Sequence, residues 1–183
     1  MPARNRPLGR TAQQEDGMTL SETSPRDAVM ALYQSYATRD PEQIAACLAE
    51  DVVWVAPPGN ATQVALGLGS PDDAGPPDGS NNLDRAAIVD FMVNDFGRLF
   101  VGDVSNAFTG LHVAGDHVIA EHRMSATLAN GRSYVNDYCF VFRVANGRIA
   151  AIREYMDTRG GWAQVFGDEP GGAIVPPREP VSA

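Results

Sequence analysis

Lysine is absent from this 183-residue chain, and all 14 basic residues are arginine. No folding requirement removes lysine entirely, so the bias reads as the codon usage of a GC-rich bacterial genome. Basic residues are few in any case, 14 against 23 acidic ones, for a formal charge of -9. Nucleic-acid affinity rests on Lys and Arg neutralising phosphates, and anionic membrane surfaces attract the same residues, so neither partner is expected. No apolar run approaches the roughly 20 residues that span a bilayer. The opening stretch MPARNRPLGRTAQQEDG has no apolar segment behind its arginines, which argues against a secretory signal. Cysteine is confined to Cys47 and Cys139. Without export they read as free buried thiols of a cytoplasmic protein rather than as a disulfide. There is no Cys pair, no phosphate-cradling Gly loop ahead of a helix and no G-x-S-x-G turn. His112, His117 and His122 bring no acid or thiol into a ligand set by their spacing, so neither a metal nor a cofactor is expected.

What is present reads as one domain over residues 20–167. Residues 1–19 have only Leu8 among the large aliphatics and are expected to be a disordered tail, with Met18 a candidate start. Residues 168–183, rich in Pro and Gly, are expected to be a flexible tail. Ser24-Pro25-Arg26-Asp27 starts a helix with a capping box, and Val29, Leu32, Tyr33 and Tyr36 form its apolar stripe. Asp40-Pro41 caps a second helix carrying Ile44, Cys47 and Leu48. Residues 52–55 form a strand, and a third helix runs from Leu83 to Phe100. Between them, residues 57–82 hold five Pro and five Gly, a long break of the kind that is either functional, such as a pocket lid, or disordered. From about Asn106 the hydrophobic period changes to two. Strands are expected near 106–114, 117–128, 132–144 and 148–157, joined by Gly115-Asp116 and by two copies of Ala-Asn-Gly-Arg. The class is α+β: a curved antiparallel sheet with three helices from the N-terminal half packed on one face.

The chemistry depends on which side chains share the inner face. Read as a three-residue loop with Gly left-handed, each Ala-Asn-Gly pairs Leu128 with Arg132 and Val144 with Arg148. His122 then faces Tyr138, and Tyr138 faces Glu154, in one row across three strands. Asn136 sits two residues along. The companions are apolar: Ala120, Met124, Phe140, Ile152 and Met156. The other face carries Glu121, Arg123, Ser125, Asp137, Arg153, Tyr155 and Asp157, a wet or partner-facing surface. A carboxylate among apolar neighbours has a raised pKa and suits acid/base work near neutrality. A two-residue Asn-Gly turn would break the row, and the same row could be a buried hydrogen-bonded network instead of a site.

The run Asn130-Gly131-Arg132-Ser133-Tyr134-Val135-Asn136-Asp137-Tyr138, then Asn146-Gly147-Arg148-Ile149 and Arg153-Glu154-Tyr155-Met156-Asp157-Thr158, resembles the SnoaL-like branch of the nuclear-transport-factor-2-like superfamily. Ala49-Glu50-Asp51-Val52-Val53-Trp54 fits the same branch. The resemblance covers roughly 24–166. It implies a cone of curved sheet and helices around an apolar pocket, and a homodimer through the outer sheet face. Relatives include ketosteroid isomerase, polyketide cyclases, scytalone dehydratase, limonene-epoxide hydrolase and non-enzymatic binders. Ala56 stands where ketosteroid isomerase has its base. Trp54, Ala56 and Glu154 stand where limonene-epoxide hydrolase holds water, so only the acid is kept. The implied function is cofactor-independent acid/base catalysis on a small hydrophobic molecule: an isomerase, cyclase, dehydratase or epoxide hydrolase. Glu154 moves the proton, His122 tunes or shares it, and Tyr138 and Asn136 hold the substrate's oxygen. Trp54, Met124, Met156 and Phe140 line the pocket. The alternative is a domain of the same fold that only binds or dimerises.

Overall fold

The computed structural model describes residues 23–69 and 82–178. The expected N-terminal tail, Met18, residues 70–81 of the long break and residues 179–183 lie outside them. Ser24 opens α1 (Pro25–Thr38), its hydroxyl accepting from the Asp27 amide at 3.2 Å and donating to the Asp27 carboxylate at 2.7 Å. Pro25 fills a first-turn position whose N–H would have no helical partner. The helix buries Val29 and Leu32 and ends on Arg39, which adopts the left-handed φ of 54°. Asp40 then caps α2 (Pro41–Cys47), accepting from the amides of Glu42 and Gln43. β1 (Leu48–Val55) turns Val52 and Trp54 inward and Val53 and Val55 outward, the period of a strand covered on one face.

Two short elements lie within the stretch read as a break. α3 (Ala61–Ala65) is capped by the Asn60 side chain, and β2 (Asn82–Leu83) pairs antiparallel with β1. The helical stretch before the meander comes in three pieces: α4 (Arg85–Asp90), a π-helical turn (Phe91–Asp95) and α5 (Phe96–Leu99). Then come β3 (Phe100–Ala114), β4 (His117–Leu128), β5 (Ser133–Ala145), β6 (Arg148–Met156) and α6 (Thr158–Phe166). β3 to β6 form the expected antiparallel meander. β1 joins β6 in parallel, so the sheet is mixed rather than wholly antiparallel, in the order β2-β1-β6-β5-β4-β3. The helices between β1 and the meander supply the long crossover that parallel pairing needs. The sheet curls without closing, and its concave side packs on the helices over Leu32, Ile44, Ile88, Leu99, Leu128, Phe142 and Ile152.

The two Ala-Asn-Gly-Arg copies turn differently. At 129–132, Gly131 is left-handed at φ 81° and its amide returns to the Leu128 carbonyl, the three-residue loop expected, and His122 faces Tyr138. At 145–148 the turn has two residues, Asn146 and Gly147, both left-handed at φ 51° and 71°. That pairs Ala145 with Arg148 and puts odd opposite even. Ala150 then bulges out of β6, and the parity is restored from Arg143–Ala151 onward. The expected row is therefore shifted by one inward position: Tyr138 faces Met156, and Glu154 faces Phe140. Glu154 stays on the inner face, but not beside Tyr138.

Residues 173–178, expected to belong to a loose tail, run back over the helices. The Ile174 amide donates to the Ala65 carbonyl at 2.9 Å, Val175 is buried, and Arg98 donates to the Pro176 carbonyl. Arg178 grips Asp90 through two hydrogen bonds of 3.0 and 2.6 Å. A segment without regular structure is thus anchored by one apolar and one charged side chain.

Candidate functional site

The inner face and helices α1, α4 and α5 with the π turn enclose a cavity of about 620 Å³. Its floor is aromatic. Trp54 meets Phe91 and Phe140 edge to face at 6.0 and 5.9 Å, and Phe140 stacks with Phe142, Tyr138 and His122 along the sheet. Glu154 is half-buried on this floor. Its Oε2 accepts the Trp54 indole Nε1–H at 3.0 Å. Burial pushes its pKa up to about 7, against the opposing pull of that hydrogen bond, which favours the charged form. Trp54, expected as apolar wall, is both wall and donor.

His122 lies one row away, with Phe140 stacked on it at 5.5 Å and facing Glu154 on the other side. Tyr33 of α1 packs edge-on to the His122 ring at 5.5 Å. Burial lowers the His122 pKa to about 4, so the imidazole is neutral at pH 7. Neither His122 nor Glu154 contributes to the other's shift. His122 Nδ1 and the hydroxyls of Tyr33 and Tyr36 are buried without a protein partner at the cavity wall. Burial raises both tyrosine pKa values, helped at Tyr33 by the Glu154 carboxylate and at Tyr36 by Tyr33, Cys47 and Glu154 in that order, so they remain hydroxyl donors.

Tyr138, Met124 and Phe140 line the cavity with Glu154, His122 and Trp54. Asn136 and Met156 do not. The Asn136 Nδ2 donates to the Tyr134 hydroxyl at 3.1 Å and to the Asp157 carbonyl at 3.2 Å, and its Oδ1 accepts the Asp137 amide at 3.0 Å. One amide hydrogen ties the start of α6 to β5 and the other goes to Tyr134 within β5, which leaves none for a substrate oxygen. The Tyr138 hydroxyl shares a hydrogen with Tyr134 at 2.8 Å and ends the same chain. Gly161 lets α6 approach this network, since a Cβ there would stand 3.1 Å from the Asn136 Nδ2.

The mouth is polar. Asp95, on the π turn and only 2% exposed, is held by Arg98 at 2.8 Å and by Arg178 at 3.3 Å. Arg39 also lines the cavity, its exposed side chain placing the guanidinium over Gly97. Among the described residues there is no group of three or more His, Cys, Asp and Glu spaced to hold a metal ion. No helix there is long and apolar enough to cross a membrane.

A family model described as a SnoaL-like domain matches residues 29–152, from α1 to Ile152 of β6. The chain belongs to the SnoaL-like family. No curated protein matches its sequence significantly. Solved structures agree on the fold. An NTF2-like protein of unknown function from Burkholderia pseudomallei aligns with a TM-score of 0.61 at 22% identity, covering 78% of this chain and 98% of that one. TerC, co-crystallised with polyporic acid, gives 0.59 at 24%, covering 78% and 98%. IdmH, a candidate polyketide cyclase from Streptomyces antibioticus, gives 0.58 at 21%, covering 77% and 97%. The SnoaL-like cone, shared with NTF2-like and ketosteroid-isomerase-like proteins, thus accounts for the architecture. Glu154 lies two residues beyond the span matched by the SnoaL-like model.

Of the residues around Glu154, Tyr33 and Tyr36 escaped the sequence reading because their spacing on α1 reads equally as core. Their polar tips were the available signal. Arg178 escaped because it stands in a Pro- and Gly-rich stretch.

Proposed function

We propose that this SnoaL-like domain binds a small, planar, oxygen-bearing hydrophobic molecule and moves a proton on it with Glu154, without needing a metal or organic cofactor. The observation carrying this reading is a carboxyl with a pKa of about 7, hydrogen-bonded by Trp54, on the floor of an aromatic cavity. A general base is most effective with its pKa near the working pH, where it is both present as the anion and basic enough to take a proton. The reaction type is isomerisation, cyclisation, dehydration or epoxide opening, each of which needs one proton moved next to a polarised oxygen. The Tyr33 and Tyr36 hydroxyls are the donors available to that oxygen, and buried donors of this kind act strongly because water does not compete. His122 is a neutral partner, and Phe140, Met124 and Tyr138 form the wall. The polyketide-cyclase description of IdmH and the polyporic acid bound to TerC favour a flat ligand of this sort.

The same reading makes the protein a homodimer through the outer sheet face, where Val53, Val55, Val135 and Tyr155 are exposed beside the Arg123–Asp137 pair. It also makes it cytoplasmic, in keeping with Cys47 and Cys139 standing as free thiols.

Ring opening of 5-nitrobenzisoxazole, a flat probe that needs only a base, tests the assignment. The rate should rise with pH through a midpoint near 7, and Glu154→Gln should lower it by about 100-fold or more. A rate unchanged in Glu154→Gln, with the probe still bound, would leave the protein a binder and remove the catalytic role.

A further inference from the structure

Arg39 is held at the cavity mouth by two locally unfavourable choices. It follows α1 in the left-handed conformation, at φ 54°, which is disfavoured for any residue with a Cβ. Its guanidinium rests on Gly97 of α5, where an added Cβ would overlap Nη1, Cζ and Nη2. Glycine within a helix is itself unfavourable compared with alanine. Both choices have the effect of seating one cation at the entrance of the cavity. Arg178, the other arginine at the mouth, is neutralised by Asp90 and Asp95. Arg39 pairs with no carboxylate among the described residues, in a chain whose net charge is -9.

We propose that Arg39 is the recognition element for a carboxylate at the outer end of the ligand, which makes the substrate class a planar aromatic acid. This rests on the cavity binding flat hydrophobic molecules, as proposed above, and adds their charge and orientation. A guanidinium matches the two oxygens of a carboxylate with two parallel N–H donors, and a neutral amide cannot reproduce that pairing. The interior offers no alternative seat: Arg39 and Arg178 are the cations among the lining residues, and the floor holds the Glu154 carboxyl. The acid end therefore stays outside and the ring system enters first, toward Glu154 and the Tyr33 and Tyr36 hydroxyls.

Two probes of one shape separate the contributions: anthraquinone-2-carboxylate and anthraquinone-2-carboxamide, followed by quenching of tryptophan fluorescence, with Trp54 in the cavity wall. The carboxylate should bind about tenfold more tightly at low salt, with the preference shrinking at high salt as the charge is screened. Arg39→Gln should erase the preference and leave the carboxamide affinity unchanged. Gly97→Ala should do the same while keeping the arginine, because it removes the seat and not the charge. Equal binding of the two probes, a preference indifferent to salt, or a preference surviving both variants overturns this inference alone. If neither probe binds, the cavity reading falls with it.

Discussion

Glu154→Gln tests the central carboxyl through stability, independently of any substrate. In the unfolded chain Glu154 has its ordinary pKa of 4.5, and burial in the fold pushes it up to about 7. The folded state therefore holds the proton more tightly. Below pH 4.5 both states are protonated and the group favours neither. As pH rises from 4.5 through 7 the unfolded chain gains by ionising first, so stability is progressively lost, and above 7 the loss levels off. Between those two values the charged form is penalised by about 3 kcal/mol. Glutamine keeps an oxygen for the Trp54 Nε1–H and carries no charge, so the variant escapes this loss. Urea unfolding of both proteins across the range should give equal free energies in acid and a variant more stable by about 3 kcal/mol at alkaline pH. Trp54 and Trp162 are the two tryptophans. In the same series the Trp54 indole NMR signal should move with a midpoint near 7 while that of Trp162 does not. A stability difference that stays flat with pH, or a variant weaker than the parent above pH 7, refutes the burial of an ionisable carboxyl here.

Trp54→Phe removes the hydrogen bond that favours the Glu154 anion, so the pH–rate midpoint on 5-nitrobenzisoxazole should rise above that of the parent; an unmoved midpoint contradicts the contact. Tyr33→Phe and Tyr36→Phe each delete a buried hydroxyl without a partner. Each should leave the ligand-free protein as stable or up to about 1 kcal/mol more stable in urea, while oxygenated ligands bind roughly tenfold more weakly by titration. Truncation before Ala173 exposes what Val175 covers and frees Asp90 and Asp95 from Arg178, and should cost about 2 kcal/mol in thermal or urea unfolding. A truncated chain as stable as the parent would show that the segment is not anchored.

The helix starts were legible because their causes are local: Ser24 with Asp27 and Asp40 with Pro41 act within four residues. The β4–β5 hairpin, closed by the first Ala-Asn-Gly-Arg copy, was legible too, and His122 opposite Tyr138 followed from it. The β5–β6 hairpin shows where locality ends, since the same four residues, Ala-Asn-Gly-Arg, make a different turn. At the first copy the Ala129 amide is drawn away to the Leu99 carbonyl at the end of α5, and the Asn130 side chain donates to the Val165 carbonyl of α6. Those partners open the loop to three residues. At the second copy Ala145 stays in the ladder with Arg148, and the turn tightens to two. The parallel pairing of β1 with β6 likewise joins residues about a hundred apart, as do Trp54 and Glu154 themselves. Within the candidate site, the apolar alternation correctly put Glu154 and His122 inward. Asn136 looked like a substrate donor because nothing in the pattern reveals that Asp157 and Tyr134 claim its amide.

The bulge at Ala150 makes the chemistry of the cavity a matter of counting. Because Ala150 takes no partner in the ladder, Ile149 and Ile152 both face inward although three residues apart, and Glu154 follows Ile152 on the cavity side. Deleting Ala150 would only straighten the strand and leave Ile149, Ile152 and Glu154 inward, whereas inserting one residue between Ile152 and Arg153 would turn Arg153 and Tyr155 inward in place of Glu154. The lengthened chain should lose the near-neutral titration of the Trp54 indole signal, and the chain shortened at Ala150 should keep it. A single-residue change of length beyond the bulge therefore exchanges every side chain that the end of β6 presents to the cavity, which no one point substitution does.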